Sequence, residues 1–262
     1  MTGPCCLTDD DCEIYYESAG TGPTIVFASG FMGITDIWQH QVAALAAQFR
    51  CVTFDTRGAG RSDKPIPRSA YGVDRHAGDM ATVLDHLKVA RVLVIGHSMG
   101  GNIACRYYRA HPGRVAGIVF IGSYVSGAQI AMAGNPVERI KAAVTIKEDR
   151  IQFYRGVGLP QKIAEESTKW PLYALHANAE SFMDFDGAPE LGDITAPCLI
   201  LHGNGDVVSP YDPCATGLAS GIPDAEIELF DDVNHCPMME APNKTNARIM
   251  RFLEQRVIWQ PH

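Results

Sequence analysis

Gly96-His97-Ser98-Met99-Gly100 joins two segments of opposite character, and few folds accommodate that junction. Upstream, Arg91-Val92-Leu93-Val94-Ile95 is short, continuous and rich in β-branched residues, the pattern of a strand buried in a parallel sheet. Downstream, Ile103, Ala104 and Tyr107 recur at helical spacing, and Gly113 follows as a stop. G-x-S-x-G at a strand-to-helix turn is a nucleophile elbow. The turn is too tight for Cβ atoms at the glycine positions, and it pushes the serine out over the C-terminal end of the sheet. The first amides of the new helix are unpaired and favour negative charge near Ser98. The five residues alone also fit an ordinary glycine-rich turn, so the reading depends on a base and an acid elsewhere in the chain.

Of the nine histidines, His235 is the best placed to be that base. It follows the strand-like run Glu226-Ile227-Glu228-Leu229-Phe230 and precedes a helix with Ile249, Phe252 and Leu253 on one face. The alternative is a solvated loop histidine. His97 adjoins Ser98, but its side chain points away from that of the serine and reads as packing. His40, His76, His86, His111 and His176 fall in helical or solvated stretches, and His262 is terminal. His202 ends a strand and is a supporting candidate, too close to the acid loop to be the base. The acid candidate is Asp206, in the turn Gly203-Asn204-Gly205-Asp206 after the strand-like Pro197-Cys198-Leu199-Ile200-Leu201-His202. A carboxylate there holds the imidazole tautomer and stabilises the imidazolium. The competing reading is an Asp selected for turn chemistry.

Three further runs extend the pattern: Phe54-Asp55-Thr56-Arg57-Gly58-Ala59-Gly60-Arg61-Ser62, the run from His202 to Pro210, and His235-Cys236-Pro237-Met238-Met239-Glu240-Ala241-Pro242. With the order Ser98, Asp206, His235, the chain resembles the α/β-hydrolase superfamily over nearly its whole length. In look it is most similar to small esterases, enol-lactonases and cofactor-free haloperoxidases. Some members carry the acid one strand earlier, but Phe120-Ile121-Gly122-Ser123 offers no carboxylate there. The resemblance implies an oxyanion hole from the backbone amides of Phe31 and Met99. Relatives usually have His-Gly where this chain has Ser29-Gly30, which puts the support of that loop in question. Asn234 stands where a glycine is frequent, and a left-handed conformation would tolerate it.

Strand-like runs near 12–18, 24–29, 50–54, 92–96, 115–121, 197–202 and 226–230 alternate with helix-like runs near 36–48, 74–88, 99–111, 211–220 and 243–256. Such alternation predicts an α/β fold, a mostly parallel central sheet with helices on both faces. Met80, Val83, Leu84 and Leu87 form an apolar stripe, as do Trp38, Val42, Leu45 and Phe49 more loosely. Residues 124–191 break the alternation. Asn135-Pro136-Val137-Glu138 reads as a helix start with capping-box features, and Pro160 opens another helix. By resemblance this insertion is a helical cap after strand six, which divides the chain into a core of 1–122 and 192–262 and a cap of 123–191. Substrate-binding candidates are Met32, Tyr124, Phe153, Trp170, Phe182, Met183 and Cys236, with about a third of the cap aromatics and methionines expected to touch substrate.

Composition narrows the partners. Net charge is −8 with no basic stripe, which argues against nucleic acid and anionic membrane surfaces. No apolar run approaches the roughly 18 residues of a spanning helix, and the N-terminus lacks the marks of a signal peptide. A cytoplasmic location is the resulting expectation. The eight cysteines fit it. Cys51, Cys105 and Cys198 fall in predicted elements as small apolar residues, and Cys5, Cys6 and Cys12 in a polar N-terminal stretch. Cys5-Cys6 lacks the spacer of a zinc site, and Cys236, beside the base, is a candidate for oxidation. No cofactor or metal is expected. The expected partner is a small apolar ester or lactone, and a homodimer is left open. The leading function is ester or lactone hydrolysis through an acyl-enzyme on Ser98. C–C bond cleavage or perhydrolysis with the same triad, and ligand sensing with incidental hydrolysis, are the alternatives. By resemblance, dehalogenase and epoxide hydrolase chemistry would need an Asp at position 98.

Overall fold

The computed structural model describes residues 4–31, 33–257 and Trp259. Among these, eight strands form one sheet: β1 (Cys5–Leu7), β2 (Glu13–Ala19), β3 (Thr24–Ala28), β4 (Arg50–Phe54), β5 (Val92–His97), β6 (Val115–Ile121), β7 (Cys198–Gly203) and β8 (Ala225–Phe230). Their spatial order is β1-β2-β4-β3-β5-β6-β7-β8. β1 and β2 run antiparallel to their neighbours, and every other pairing is parallel. β3, β5, β6 and β7 are buried along their whole length, as continuous apolar runs in a doubly covered sheet must be.

Successive side chains on these strands enter different cores, because the strand repeat is two. Val26, Val94 and Ile118 pack with Met80, Val83 and Leu84 of α2 (Val73–His86) and with Ile103 and Tyr107 of α3 (Met99–Ala110). Ile25, Phe27, Ile95 and Val119 pack on the other face with Trp38, with Leu45 of α1 (Gln39–Leu45), and with Ile249 and Phe252 of the C-terminal helix. Leu87, the last position of the α2 stripe, is only partly buried.

Between β6 and β7 lie α4 (Gly127–Met132), α5 (Val137–Thr145), α6 (Lys147–Gly156), α7 (Gln161–Glu166) and α8 (Leu172–Met183). After β7 come α9 (Thr216–Gly221), α10 (Pro237–Glu240) and α11 (Pro242–Arg256). Arg150 ties the inserted helices together, donating to the carbonyls of Val144 at 2.9 Å and Ser167 at 2.7 Å. α8 fastens them to the core: Arg68 pairs with Glu180 at 2.7 Å and Asp184 at 3.1 Å, and Asn178 meets His76 at 2.8 Å.

Several expectations need correction. Cys5–Leu7 is a strand, and Cys6 and Cys12 are buried core residues rather than members of a polar stretch. Three residues are too few to display a period. The helix expected over 36–48 is a 3₁₀ turn, Thr35–Trp38, followed by the shorter α1. The helix expected over 211–220 contains Pro213, which removes a donor, and the regular helix begins only at Thr216. The capping box at Asn135 does not form. α5 has no side-chain cap, and Asn135 instead donates its side-chain amide to Val207 O at 3.0 Å. No helix among the described residues is long and apolar enough to cross a membrane.

The buried Arg57 anchors the loop after β4. Its guanidinium is fully buried and makes paired hydrogen bonds to Asp79 (2.8 and 2.6 Å) and to Asp10 (2.7 and 3.0 Å), tying β4, α2 and the N-terminal hairpin together. Asp79 is buried, whereas Asp10 keeps about a quarter of its side-chain surface exposed. Removing a partner from a buried ion pair strands a charge, at a cost of about 3–5 kcal/mol. Asp79→Ala is therefore expected to lower the urea unfolding free energy by about 3 kcal/mol, and Asp10→Ala by clearly less; equal losses would refute this account.

Candidate active site

Ser98 sits between β5 and α3 at φ 53° and ψ −121°, a backbone conformation that is costly for any residue with a side chain. Its amide donates to Ile121 O of the neighbouring strand at 2.9 Å, and its carbonyl accepts from Gly101 at 2.9 Å. A Cβ at position 100 would lie 2.0 Å from the Ala28 carbonyl oxygen, and one at position 30 would lie 2.7 Å from Ser98 Cβ. Glycine at both positions lets the turn after β5 press against the loop after β3. Ser98 Oγ makes no hydrogen bond to any described residue, and Ser98 lines an internal cavity together with His235.

His235 is held from four directions. Its Nδ1 lies 2.7 Å from Asp206 Oδ2. Glu240 accepts the amides on either side of it, from Asn234 at 3.0 Å and Cys236 at 2.8 Å. His97 Nε2 donates to the His235 carbonyl at 3.0 Å, and the two rings meet at a tilt of 58° with centroids 4.8 Å apart. Burial, with the His235 ring beside it, pushes the His97 imidazole down to about 3, so it stays neutral. Reading His97 as packing understates it: it buttresses the loop that carries His235. Asn234 is not left-handed either. Positive φ falls on Asp232, and Asn234 uses its side-chain amide to donate to Gly156 O of α6 at 2.8 Å.

Asp206 divides its oxygens. Oδ1 accepts the amides of Val208 and Ser209, both at 2.9 Å, which is the turn chemistry common to such residues. Oδ2 takes the His235 contact and the Ser209 hydroxyl at 2.9 Å. Burial alone would raise this carboxyl, but the charges and hydrogen bonds of His235 and His202 outweigh it and hold the group far below the usual carboxylate range. His202 lies 3.4 Å from Oδ2 and contacts Ser209 O at 2.6 Å. Ser209 was not singled out from the sequence. Its only signal is a hydroxyl three residues after the acid. Asp231, closer to His235 in the chain, instead accepts from the exposed Asn204 side chain at 3.2 Å.

Met99 opens α3, so its amide has no intrahelical acceptor. Phe31 lines the same cavity from the loop after β3, where Gly33 N closes a turn on Gly30 O at 2.9 Å. Ser29, where the resemblance implied a histidine, has a buried hydroxyl that accepts the Trp38 indole N–H at 3.0 Å.

The cavity has a volume of about 50 Å³. Tyr124, Phe153, Phe182 and Cys236 line it. Trp170 and Met183 do not, which corrects their assignment. Met183 follows Phe182 by one helical position, about 100° around the axis, and so faces elsewhere. Trp170 is buried within the second core cluster. Met32 lies outside the described residues. Ile130, Ile140, Tyr154, Val157 and Leu159 of the inserted segment also line the cavity and were missed, because core and pocket side chains look alike in a sequence. Cys236 is fully buried, and burial pushes its thiol well above the ordinary value, so it does not fit an oxidation-sensitive thiolate.

A family model described as the alpha/beta hydrolase fold matches residues 23–163, so the chain belongs to the α/β-hydrolase family. It is 30% identical over 275 residues to a non-heme chloroperoxidase of Streptomyces lividans, covering 94% of this chain and 98% of the relative. The solved structure of an N-acyl homoserine lactone degrading enzyme is similar at 29% identity and a TM-score of 0.81, covering 95% of this chain and 100% of the other. A bromoperoxidase of Bacillus anthracis shares the fold at a TM-score of 0.88 with 23% identity, covering 96% and 99% of the two chains.

Ser29→Ala would leave the buried Trp38 indole N–H without its acceptor. The expected outcome is a stability loss of about 1–3 kcal/mol in chemical denaturation. An unchanged midpoint would mean that Ser29 does not support the loop.

Proposed function

We propose that this chain is a serine hydrolase that cleaves a carboxylic ester or lactone of a small apolar substrate through an acyl-enzyme on Ser98. The observation that carries the reading is the 2.7 Å contact between His235 Nδ1 and Asp206 Oδ2, with Ser98 lining the same apolar cavity as His235. His235 takes the Ser98 proton as Oγ attacks the carbonyl carbon. The Phe31 and Met99 amides receive the developing oxyanion, each contributing roughly 3 kcal/mol of barrier lowering in comparable sites. His235 returns the proton to the leaving alcohol, and the acyl-enzyme forms. Water then attacks the acyl carbon, His235 takes its proton, and the acid departs with Ser98 restored.

Likeness to a lactone-degrading enzyme supports lactones as well as open esters. Likeness to a chloroperoxidase favours a second reading, in which hydrogen peroxide replaces water at the acyl-enzyme and a peracid leaves. Both readings share the Ser98 ester.

Ser98→Ala is expected to retain less than about a thousandth of the wild-type kcat/KM on p-nitrophenyl acetate, and to lose fluorophosphonate labelling. Asp206→Asn is expected to cost on the order of 10³–10⁴-fold through the wrong imidazole tautomer. Substantial activity in the first variant would sink the nucleophile assignment, and a near-neutral second variant would sink the acid. Phe153→Ala is expected to shift discrimination between acetyl and bulky aryl esters by roughly 10- to 200-fold. Trp170→Ala, outside the cavity, should change both substrates alike.

A further inference from the structure

Ser209 is fully buried behind the contact between Asp206 and His235, and its backbone and its side chain do separate work there. The amide donates to Asp206 Oδ1 at 2.9 Å, and the carbonyl accepts from His202 Nε2 at 2.6 Å. An alanine would keep both of these bonds. The hydroxyl is not needed to close the turn. Its oxygen lies 2.9 Å from Asp206 Oδ2, 2.9 Å from Gly122 O and 3.3 Å from His235 Nδ1. Gly122 follows β6 at φ 54°, and a Cβ there would lie 2.7 Å from His235 O. The hydroxyl thus joins the turn after β7, the end of β6 and the imidazole at one point.

A serine hydroxyl has one proton to give. Asp206 is ionised, so His235 Nδ1 carries the hydrogen of the 2.7 Å contact and Oδ2 accepts it. Of the two acceptors at equal distance from Ser209, the carboxylate takes the hydroxyl proton, because a charge-assisted bond is stronger than one to a neutral carbonyl. Oδ2 then divides its charge between the hydroxyl and the imidazole. We propose that Ser209 is a positioning residue for the base: its hydroxyl holds Oδ2 in line with His235 Nδ1 and limits the pull of the carboxylate on the imidazole proton. The kinetic side of this rests on the hydrolase reading above; the spectroscopic side does not.

Ser209→Ala removes the hydroxyl alone. With less competition at Oδ2, the imidazolium is held more firmly, so the acidic limb of the kcat/KM profile moves to higher pH. His202 on β7, His97 on β5, Cys214 before α9, and Cys236 and Glu240 beside the base also face this pair. All of them are common to the proteins compared. Values of kcat and KM for p-nitrophenyl acetate are measured across the acidic limb in wild type, Ser209→Ala, Asp206→Asn and the double variant. The expected result is a plateau kcat about tenfold lower in Ser209→Ala, the size of one lost hydrogen bond, with KM little changed and the limb displaced upward. Added to Asp206→Asn, the same substitution should cost nothing more, because Ser209 acts through the carboxylate. An unchanged kcat, a limb that stays in place, or a loss that persists in the Asp206→Asn background overturns the proposal.

A proton NMR spectrum gives a readout without turnover. The downfield resonance of the Nδ1–H bond to Oδ2, identified by its loss in Asp206→Ala, is expected further downfield in Ser209→Ala. If no ester is hydrolysed but that resonance moves so, the hydrolase reading fails and this one stands. If esters are hydrolysed and neither the limb nor the resonance moves, this one fails alone. Should Ser209→Ala not fold, Ser209→Cys keeps the shape with a weaker donor and replaces it in every comparison, with smaller changes in the same directions.

Discussion

The Ala28 carbonyl oxygen leaves no room for a Cβ at position 100, and that steric limit organises the catalytic end of the sheet. β3 and β5 are adjacent and parallel, so the loops leaving their C-terminal ends emerge side by side. Because they can touch, Phe31 and Ser98 line one cavity. The strained dihedrals of Ser98 are tolerable only because its amide is held by β6 and its carbonyl by Gly101. Rigidity of the four central strands is thus what keeps the serine in a conformation that it would leave in a free peptide.

The acid shows why a structural and a functional reading of one residue need not compete. Asp206 Oδ1 closes a turn on Val208 and Ser209, while Oδ2 faces His235. The turn fixes the carboxylate before any substrate arrives, and the carboxylate fixes the imidazole. Glu240 acts similarly four and six residues from its partners, gripping the amides that bracket the base. Both devices use charge-assisted bonds to backbone N–H groups, which are stronger than neutral ones. Neither requires a long side chain to be ordered in solvent.

The central strands, α2, α3, α11 and the serine, aspartate and histidine of the candidate site were legible because each rests on a local signal. A buried parallel strand is a continuous apolar run, a packed helix has a 3.6-residue stripe, and the elbow is five contiguous residues. β1 was illegible because Cys5–Leu7 is shorter than any period. Ser209, His97 and Asn234 were misjudged or overlooked for a different reason. Their roles depend on partners such as Gly122 and Gly156, 87 and 78 residues distant in the chain. The cavity wall was half legible. Aromatic residues attract notice, so Trp170 was included wrongly, whereas Ile130 and Leu159 carry no mark that separates a wall from a core.

The bond from Asn234 to Gly156 gives the inserted helices a direct hold on the loop that carries His235. Gly156 ends α6, the helix that carries Phe153 and Tyr154, and Asn234 is the peptide neighbour of His235. Whatever displaces the end of α6 acts on the backbone beside His235 through a single side-chain amide. The end of α6 and the backbone beside His235 therefore cannot move apart without breaking that bond.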